Sequence, residues 1–253
     1  MKSDTKNIVI AVSVIITVFV AAYGCTVLYA GLSSPFYTVE SGSMMHSADS
    51  KIGIIDTGDM VVVKDVSKMS ITTYAEACVT GYGKFGDHGD VVLYKNAAGR
   101  TIIHRAILFM EHLGGGKWNI PDLAAYPGMW SCAKDAVGYH GILSITAGYR
   151  DIPITIDLGS PAYAGLPAGT CGYITMGDNN SSADTLFVTE DMVIAVAAHE
   201  IPWLGCVKLL ITGNNADKVP WNSVIYLILS IALMIASVFA AAFTFERMRR
   251  KKE

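Results

Sequence analysis

The 253-residue chain is 52% hydrophobic and only 16% charged, which is too apolar for one ordinary soluble domain and therefore indicates membrane-spanning segments. Its net charge of −3 excludes the basic surface that nucleic-acid binding needs. The five cysteines form no closely spaced pair, and the sequence contains no glycine-rich phosphate loop. We therefore expect neither a bound metal nor a cofactor.

The first apolar segment covers residues 8–32 (IVIAVSVIITVFVAAYGCTVLYAGL) and contains no charge. It is longer than the roughly 20 residues that a transmembrane helix needs. The alternative is a cleaved signal peptide with Lys2 and Lys6 as its basic end, but a signal core has only about 7 to 15 apolar residues. The tetrapeptide AYGC, which ends at Cys25, is a weak lipoprotein cleavage box because Tyr23 fits poorly there. A retained span is favoured.

The second apolar segment covers residues 223–245 and is followed by the basic sequence ERMRRKKE at 246–253. Positive charge next to a span marks its cytoplasmic end. Two spans return the chain to its starting side, so residues 1–7 are predicted to be cytoplasmic as well. We therefore predict a multi-pass protein of the cell membrane, with residues 33–222 forming one exterior domain.

The exterior segment shows short β signals and no strong helix signal. Two strands are predicted after Gly-Asp corners at Gly58 and Gly89, since each corner precedes a run of β-branched residues. A hairpin follows, with its turn at residues 97–99 and its return strand at 101–109. Further strands are predicted in DIPITIDLG and in CGYITMGDNN, which ends in an Asp/Asn turn. The fold class is therefore mainly β.

Polar residues within this pattern include the three groups of serine hydrolysis. Ser43 lies in VESGSMMH, His104 in TIIHRAI, and Asp178 and Asp184 in GDNNSSAD. Alone, a histidine in an apolar strand is more often a packed core residue, and the aspartates form an ordinary Asx turn. Together they offer a hydroxyl nucleophile, a base with a reference pKa of about 6.5, and a carboxylate to orient that base.

The motifs SGSMM, IIHRA and GDNNSSAD, with the two Gly-Asp strand starts, occur in the order found in type I signal peptidases. The chain resembles the archaeal and endoplasmic-reticulum branch of that family, which has histidine where most bacterial enzymes have a lysine base. The likeness covers about residues 39–184 in separated blocks and continues weakly through IPWLGCVKLLI at 201–211.

The resemblance implies a role for each matching residue. Ser43 is the expected nucleophile, His104 the general base and Asp184 the acid of the triad. Asp178 resembles a second important acid of the family. Its place in the Gly-Asp-Asn-Asn corner favours backbone contacts that shape the turn carrying Asp184, and the alternative is that Asp178 is itself the triad acid. The backbone N–H of Ser43 and the hydroxyl of Ser41 are the expected oxyanion donors. A histidine base predicts activity that falls on the acid side, near about pH 6 to 7.

The chain departs from the family pattern in two places. His46 stands where the family usually has proline, so a less rigid loop is expected before Gly58. The connection between His104 and Asp178 is far longer than in the archaeal branch. We expect an insertion at about residues 113–170 that caps or borders the domain. Its Cys132 has the option of a disulfide with Cys171 in an exterior compartment.

The resemblance implies a membrane-bound serine endopeptidase with a signal-peptidase-like coiled β-sheet. Its substrates would be the signal peptides of secretory preproteins, with small residues before the scissile bond, bound as an added β-strand. The export translocon would be nearby.

Ser43 lies close after the first span, so the site should be near membrane lipid. Trp203 suggests a lip resting on the membrane, although IPWLGCVKLL is equally consistent with a buried strand. The competing hypothesis is a non-catalytic exterior β domain, such as a receptor or an assembly factor.

Overall fold

The structure is a computed structural model that describes residues 2–125, 128–146 and 153–250. A long apolar helix lies at each end: α1 is Lys2–Ala30 and α5 is Trp221–Arg250. Within them, Val12–Ala30 and Trp221–Ala240 are long and apolar enough to cross a membrane. Helix α1 begins before the predicted span 8–32 and ends two residues short of it. Helix α5 includes the predicted span 223–245 and continues through the basic tail as far as Arg250.

Between these helices the chain is mainly β, as predicted. The strands are β1 Phe36–Thr38, β2 Met60–Asp65, β3 Gly83–Lys84, β4 Asp87–His88, β5 Val91–Lys95, β6 Thr101–Gly114, β7 Lys117–Asn119, β8 Trp130–Lys134, β9 Tyr139–Ile145, β10 Ile154–Asp157, β11 Cys171–Met176, β12 Val188–Thr189 and β13 Val193–Ile201. Three short helices, which the sequence analysis missed, are α2 Tyr74–Thr80, α3 Pro121–Ala125 and α4 Cys206–Thr212. Strand β6 runs five residues beyond the predicted end at Phe109.

Within the described residues, eleven of the strands form one sheet. Its main order is β1-β2-β13-β5-β6-β7-β9-β10, with β11 paired to β6 and β12, and β8 paired to β9. Neighbouring strands such as β5 and β6 are antiparallel, while β3 and β4 form a separate hairpin. The predicted hairpin before β6 is present, since Asn96 N–H donates to Arg100 O at 3.0 Å.

The chain divides into two compact units. The first unit is Met1–Tyr37, Val62–Gly177 and Ser182–His199, and it contains most of the sheet. The second unit is Thr38–Val61, Asp178–Ser181 and Glu200–Glu253. Of the predicted site residues, His104 and Asp184 belong to the first unit and Ser41, Ser43 and Asp178 to the second.

The segment predicted as an insertion at 113–170 forms one end of the main sheet and contributes to its core. It supplies β7, β9 and β10 to the main sheet. Trp118 in β7 is fully buried, and its Nε1–H donates to Leu158 O at 2.9 Å. The Trp118 ring packs against Phe187 with their centroids 5.3 Å apart. Burying an indole stabilises a core strongly because of its large apolar area, so this segment contributes to the stability of the first unit.

Both Gly-Asp corners bring a buried carboxylate to backbone donors. Gly58 has φ +97° and Gly89 has φ +78°, a left-handed conformation that only glycine adopts readily. Asp59 then accepts the N–H groups of Asp56 and Trp203, both at 2.8 Å. In the first unit, Asp90 accepts the Thr72 N–H at 2.9 Å. In each Gly-Asp dipeptide the aspartate side chain therefore connects the start of a strand to another segment by hydrogen bonds.

The segment IPWLGCVKLLI is not a buried strand. Strand β13 ends at Ile201, and helix α4 begins at Cys206 and ends at Thr212, with Gly213 as its left-handed C-cap. Cys206 and Leu209 are fully buried, whereas Ile211 is 80% exposed. The spacing of 3 residues between the buried positions is helical; with so few residues, the apolar run alone did not distinguish a strand from a helix.

All five cysteines are free thiols. Cys132 in β8 directs its Sγ to His140 O, and Cys171 in β11 directs its Sγ to Gly169 O. The disulfide that the sequence left open is therefore not formed.

Candidate active site

A histidine and a carboxylate are paired in the first unit. His104, in β6, donates from Nδ1 to Asp184 Oδ2 at 2.6 Å. Their side chains are only 11% and 17% exposed. A short contact of this kind to an ionised acceptor is a strong hydrogen bond. It fixes the ring orientation and makes Nε2 the nitrogen that can accept a proton.

Two further side chains donate to the same carboxylate oxygen. Thr175 Oγ1 lies 2.7 Å from Asp184 Oδ2, and Tyr94 OH lies 3.2 Å from it. Thr175 Oγ1 is also 3.1 Å from Tyr94 OH. The carboxylate is therefore held in place from several directions. Neither Thr175 nor Tyr94 was identified from the sequence.

The strand register explains why these residues converge. Val92 in β5 lies opposite His104 in β6, and Thr175 in β11 lies opposite Ala106. Alternate residues of a strand share a face, so Tyr94, two positions after Val92, projects on the same side as that residue. Asp184 N–H donates to Thr175 O at 2.8 Å. The chain that follows β11 therefore returns to the C-terminal end of that strand.

Tyr94 is a hydrogen-bond donor and not a titrating base. Burial raises its pKa above the ordinary tyrosine value, and the charge of Asp184 raises it further. Loss of the phenolic proton would place a second negative charge beside the carboxylate in a poorly solvated position. The phenol therefore stays protonated and keeps its bond to Asp184.

Arg105, the neighbour of His104, has a structural role in the first unit. Its guanidinium is buried and donates to the carbonyls of Lys84, His88 and Gly89 at 3.1, 3.1 and 2.9 Å. A buried charge is costly unless its donors are satisfied. These contacts anchor β6, and thus the backbone of His104, to the region of the β3-β4 hairpin.

The predicted nucleophile lies on a tight turn in the second unit. Gly42–Met44 form one 3-10 turn, and Ser41 precedes it in an extended conformation with no capping hydrogen bond from its side chain. Ser41 Oγ instead lies 3.3 Å from Ser43 Oγ. Met44 is almost completely buried, which anchors the turn beside Ser43.

The Asp178 turn, also in the second unit, contacts the turn that carries Ser43. Asn179 N–H donates to Ser43 O at 2.7 Å, and Asn179 Nδ2 donates to Gly42 O at 3.0 Å. His46 Nε2 lies 3.0 Å from Asp178 Oδ2. His46 is therefore bonded to a predicted site acid, whereas the absence of proline at this position had predicted a less rigid loop.

Three carboxylates that the sequence analysis did not single out lie together in the second unit. Burial raises the pKa of Asp59 to about 7, and the charge of Asp56 contributes. Burial also raises the pKa of Glu200 to about 7, with contributions from Asp59 and Asp56. Asp56 Oδ1 and Glu200 Oε2 have no hydrogen-bond partner within the described part of the chain. Among the described residues no group is arranged to hold a metal ion.

The chemistry that these residues can perform follows from the His104–Asp184 pair. A histidine with Nδ1 fixed by a carboxylate can accept a proton at Nε2 and return it. A scan of protein-family models and a search of curated proteins found no match to the chain. The functional assignment therefore depends on the motifs and on the geometry within each unit.

Proposed function

We propose that the protein is a membrane-bound serine endopeptidase that removes signal peptides from exported preproteins. The observation that carries this proposal is the 2.6 Å hydrogen bond from His104 Nδ1 to Asp184 Oδ2, made by two residues that the motifs independently select. The resemblance to the archaeal and endoplasmic-reticulum branch of type I signal peptidases adds the substrate class and the signal-peptidase-like sheet. Asp184 is the triad acid in this proposal, and Asp178 acts through the turn of Ser43.

In the proposed first step, Ser43 Oγ attacks the carbonyl carbon of the scissile peptide bond. His104 Nε2 accepts the hydroxyl proton as the new C–O bond forms. The imidazolium that results is stabilised by Asp184, which remains ionised. The protonated histidine then donates this proton to the amide nitrogen, the C–N bond breaks, and the mature protein leaves with a free amino terminus. The signal peptide remains as an ester on Ser43.

In the second step, a water molecule attacks the ester. His104 accepts the proton of the water and then returns it to Ser43 Oγ as the C–O bond to the serine breaks. In both tetrahedral intermediates the oxyanion would accept hydrogen bonds from the backbone N–H of Ser43 and the hydroxyl of Ser41. Such preorganised donors contribute about 10²- to 10³-fold each to turnover in serine hydrolases. The cycle needs no cofactor.

The two terminal helices fit this activity, because a signal peptide reaches its peptidase within a membrane. We propose that α1 and α5 both cross the cell membrane, that both termini are cytoplasmic, and that the part between them is exterior. The exposed apolar side of α4, which includes Val207, Leu210 and Ile211, supports contact with membrane lipid. The export translocon, which delivers preproteins, would be a neighbour and not a bound subunit.

The test is preprotein cleavage by the purified protein in detergent, with the product identified by its new N-terminal sequence. We expect cleavage after an A-x-A-like site by the wild type and none by Ser43→Ala. Ser47→Ala is the matched control, since the Ser47 hydroxyl donates to Asp49 O in the same loop at 2.7 Å, and it should cleave like the wild type. Equal cleavage by Ser43→Ala, or no cleavage by the wild type where a known peptidase is active, would favour the non-catalytic alternative.

A further inference from the structure

His46 and the turn at 178–179 hold the Ser43 turn on both sides of the serine. On one side Asn179 binds the carbonyls of Gly42 and Ser43. On the other side His46 Nε2 lies 3.0 Å from Asp178 Oδ2. The Asp178 side chain is 1% exposed and the His46 side chain 12% exposed, so water competes little for this bond. All five residues belong to the second unit.

The bond to Gly42 O has a direct consequence for the N–H of Ser43. Gly42 C=O and Ser43 N–H belong to the same peptide plane, in which a trans bond directs them in opposite directions. Fixing the carbonyl on Asn179 at 3.0 Å therefore fixes the direction of the N–H. That N–H is one of the oxyanion donors in the proposed mechanism. A donor of this kind is effective only when its direction is set before the reaction.

The position of Asn179 depends in turn on its neighbour Asp178. A buried carboxylate requires donors, because desolvation without hydrogen bonds is costly. His46 supplies one such donor from the chain that directly follows the Ser43 turn. These contacts form a closed ring. His46 binds Asp178, and the adjacent Asn179 binds the carbonyls of Gly42 and Ser43. The backbone then connects Ser43 to His46 through two methionines.

We propose that His46 is a positioning residue, which through Asp178 and Asn179 sets the direction of the Ser43 N–H and the place of its hydroxyl. This inference rests on the proposed function, since it assigns a catalytic consequence to the contact. His46 itself contacts no substrate in this proposal. In the proteins that the chain resembles, the proline ring restricts the backbone at this position. In this chain the hydrogen bond of His46 would restrict it instead.

The experiment compares His46→Ala, His46→Gln and the control His140→Ala in the full-length protein in detergent. Glutamine carries its amide nitrogen at about the reach of the histidine Nε2, so it can still donate to Asp178. His140 is also close to an aspartate, with Nε2 3.7 Å from Asp135 Oδ2, but this pair is much more exposed than His46 and Asp178. Preprotein cleavage gives kcat and KM, and hydrogen exchange reports the amides of residues 41–47 and 178–181.

We expect His46→Ala to lower kcat about 10- to 100-fold with KM changed less than about twofold, because small misplacements of reacting groups cost this much. Exchange should accelerate only in residues 41–47 and 178–181. His46→Gln should recover most of kcat and of the protection, and His140→Ala should match the wild type in both.

Several results would overturn the inference. In a protein that cleaves preproteins, an unchanged kcat in His46→Ala removes the positioning role and leaves the proposed function intact. Equal damage by alanine and glutamine removes the hydrogen bond as the cause, and accelerated exchange over the whole chain indicates a general loss of stability instead. A wild type that never cleaves, even with the expected local exchange, overturns the proposed function and with it the catalytic role of His46.

Discussion

Asp184 Oδ2 accepts hydrogen bonds from His104, Thr175 and Tyr94 at 2.6, 2.7 and 3.2 Å. Three donors on one oxygen hold the carboxylate in place and restrict its rotation. Asp178, by contrast, accepts from His46 in the second unit. At the scale of single residues, Asp184 is thus bonded to the predicted base and Asp178 to His46, which supports different roles for the two aspartates in the proposed mechanism.

The first prediction concerns Asp184→Asn. The amide keeps the shape of the side chain but offers His104 a neutral partner that can favour the wrong tautomer, and in comparable triads this lowers turnover about 10⁴-fold. We expect a loss of this order in kcat for preprotein cleavage, with substrate binding retained. Normal turnover of Asp184→Asn would contradict its assignment as the triad acid.

The second prediction concerns the two donors behind Asp184. Thr175→Val and Tyr94→Phe each remove one hydrogen bond to a charged group, worth about 1.5 to 3 kcal/mol. We expect each to lower kcat by roughly tenfold and to lower the melting temperature by several degrees. The control is Tyr82→Phe, which removes a 2.8 Å bond to the buried Asp90 in the same unit. It should cost stability and leave kcat unchanged; a parallel loss of kcat in all three variants would show that only general stability is involved.

At the scale of elements, the carboxylates Asp56, Asp59 and Glu200 lie where the loop of residues 51–59 meets the end of β13 in the second unit. Gly53 N–H donates to Glu200 Oε1, and Asp59 accepts the N–H of Trp203. The carboxylates thus bind backbone N–H groups both in the loop of residues 51–59 and in the segment that follows β13. Burial disfavours the charged forms, and the charges of the neighbouring carboxylates add to this effect, which is why the pKa values of Asp59 and Glu200 are raised to about 7.

The third prediction follows from the sign of these pKa shifts. Between about pH 4 and 7 the folded protein holds protons on Asp59 and Glu200 that the unfolded chain releases. Their contribution to the free energy of unfolding therefore falls as the pH rises through this window, and it is constant above it. Glu200→Gln keeps an oxygen for Gly53 and removes one charge. We expect it to melt about 2 to 4 °C above the wild type at pH 8 and close to the wild type at pH 4.

The control for this prediction is Glu40→Gln. Glu40 pairs with Lys208 at 2.8 Å, and both side chains are about half exposed, so its loss should change the melting temperature little at either pH. Melting curves of both variants and the wild type in one detergent are the measurement. If Glu200→Gln shows the same pH dependence as the wild type, Glu200 is not the group responsible.

At the scale of the whole molecule, the two terminal helices give the fourth prediction, which is the proposed topology. Protease added to cells stripped of their wall should leave a C-terminal tag after the basic tail protected, because positive residues stay cytoplasmic. The same tag placed in the Gly115–Gly116 turn between β6 and β7 should be removed. Cleavage of the C-terminal tag in intact cells would show that α5 does not span as proposed.

Local features of the fold were predictable from the sequence because they depend on neighbouring residues. Strands β2 and β5 follow Gly-Asp corners, and β6 follows a turn at residues 97–99, all of which short-range turn chemistry predicts. The apolar end helices follow from length and composition alone. Helix α4 was missed because seven residues are too few for a clear helical period.

The amino-acid sequence by itself determined the β class, the two apolar helices, and the choice of Ser43, His104 and Asp184 as candidate catalytic groups, since each depends on residue type and local spacing. Only the tertiary structure decided which side chains support them. Tyr94 and Thr175 reach Asp184 through the pairing of β5, β6 and β11. The contact of His46 with Asp178 joins residues 132 positions apart. Such contacts join residues far apart in the sequence, so they depend on how the strands pair. Local residue preferences do not determine that pairing.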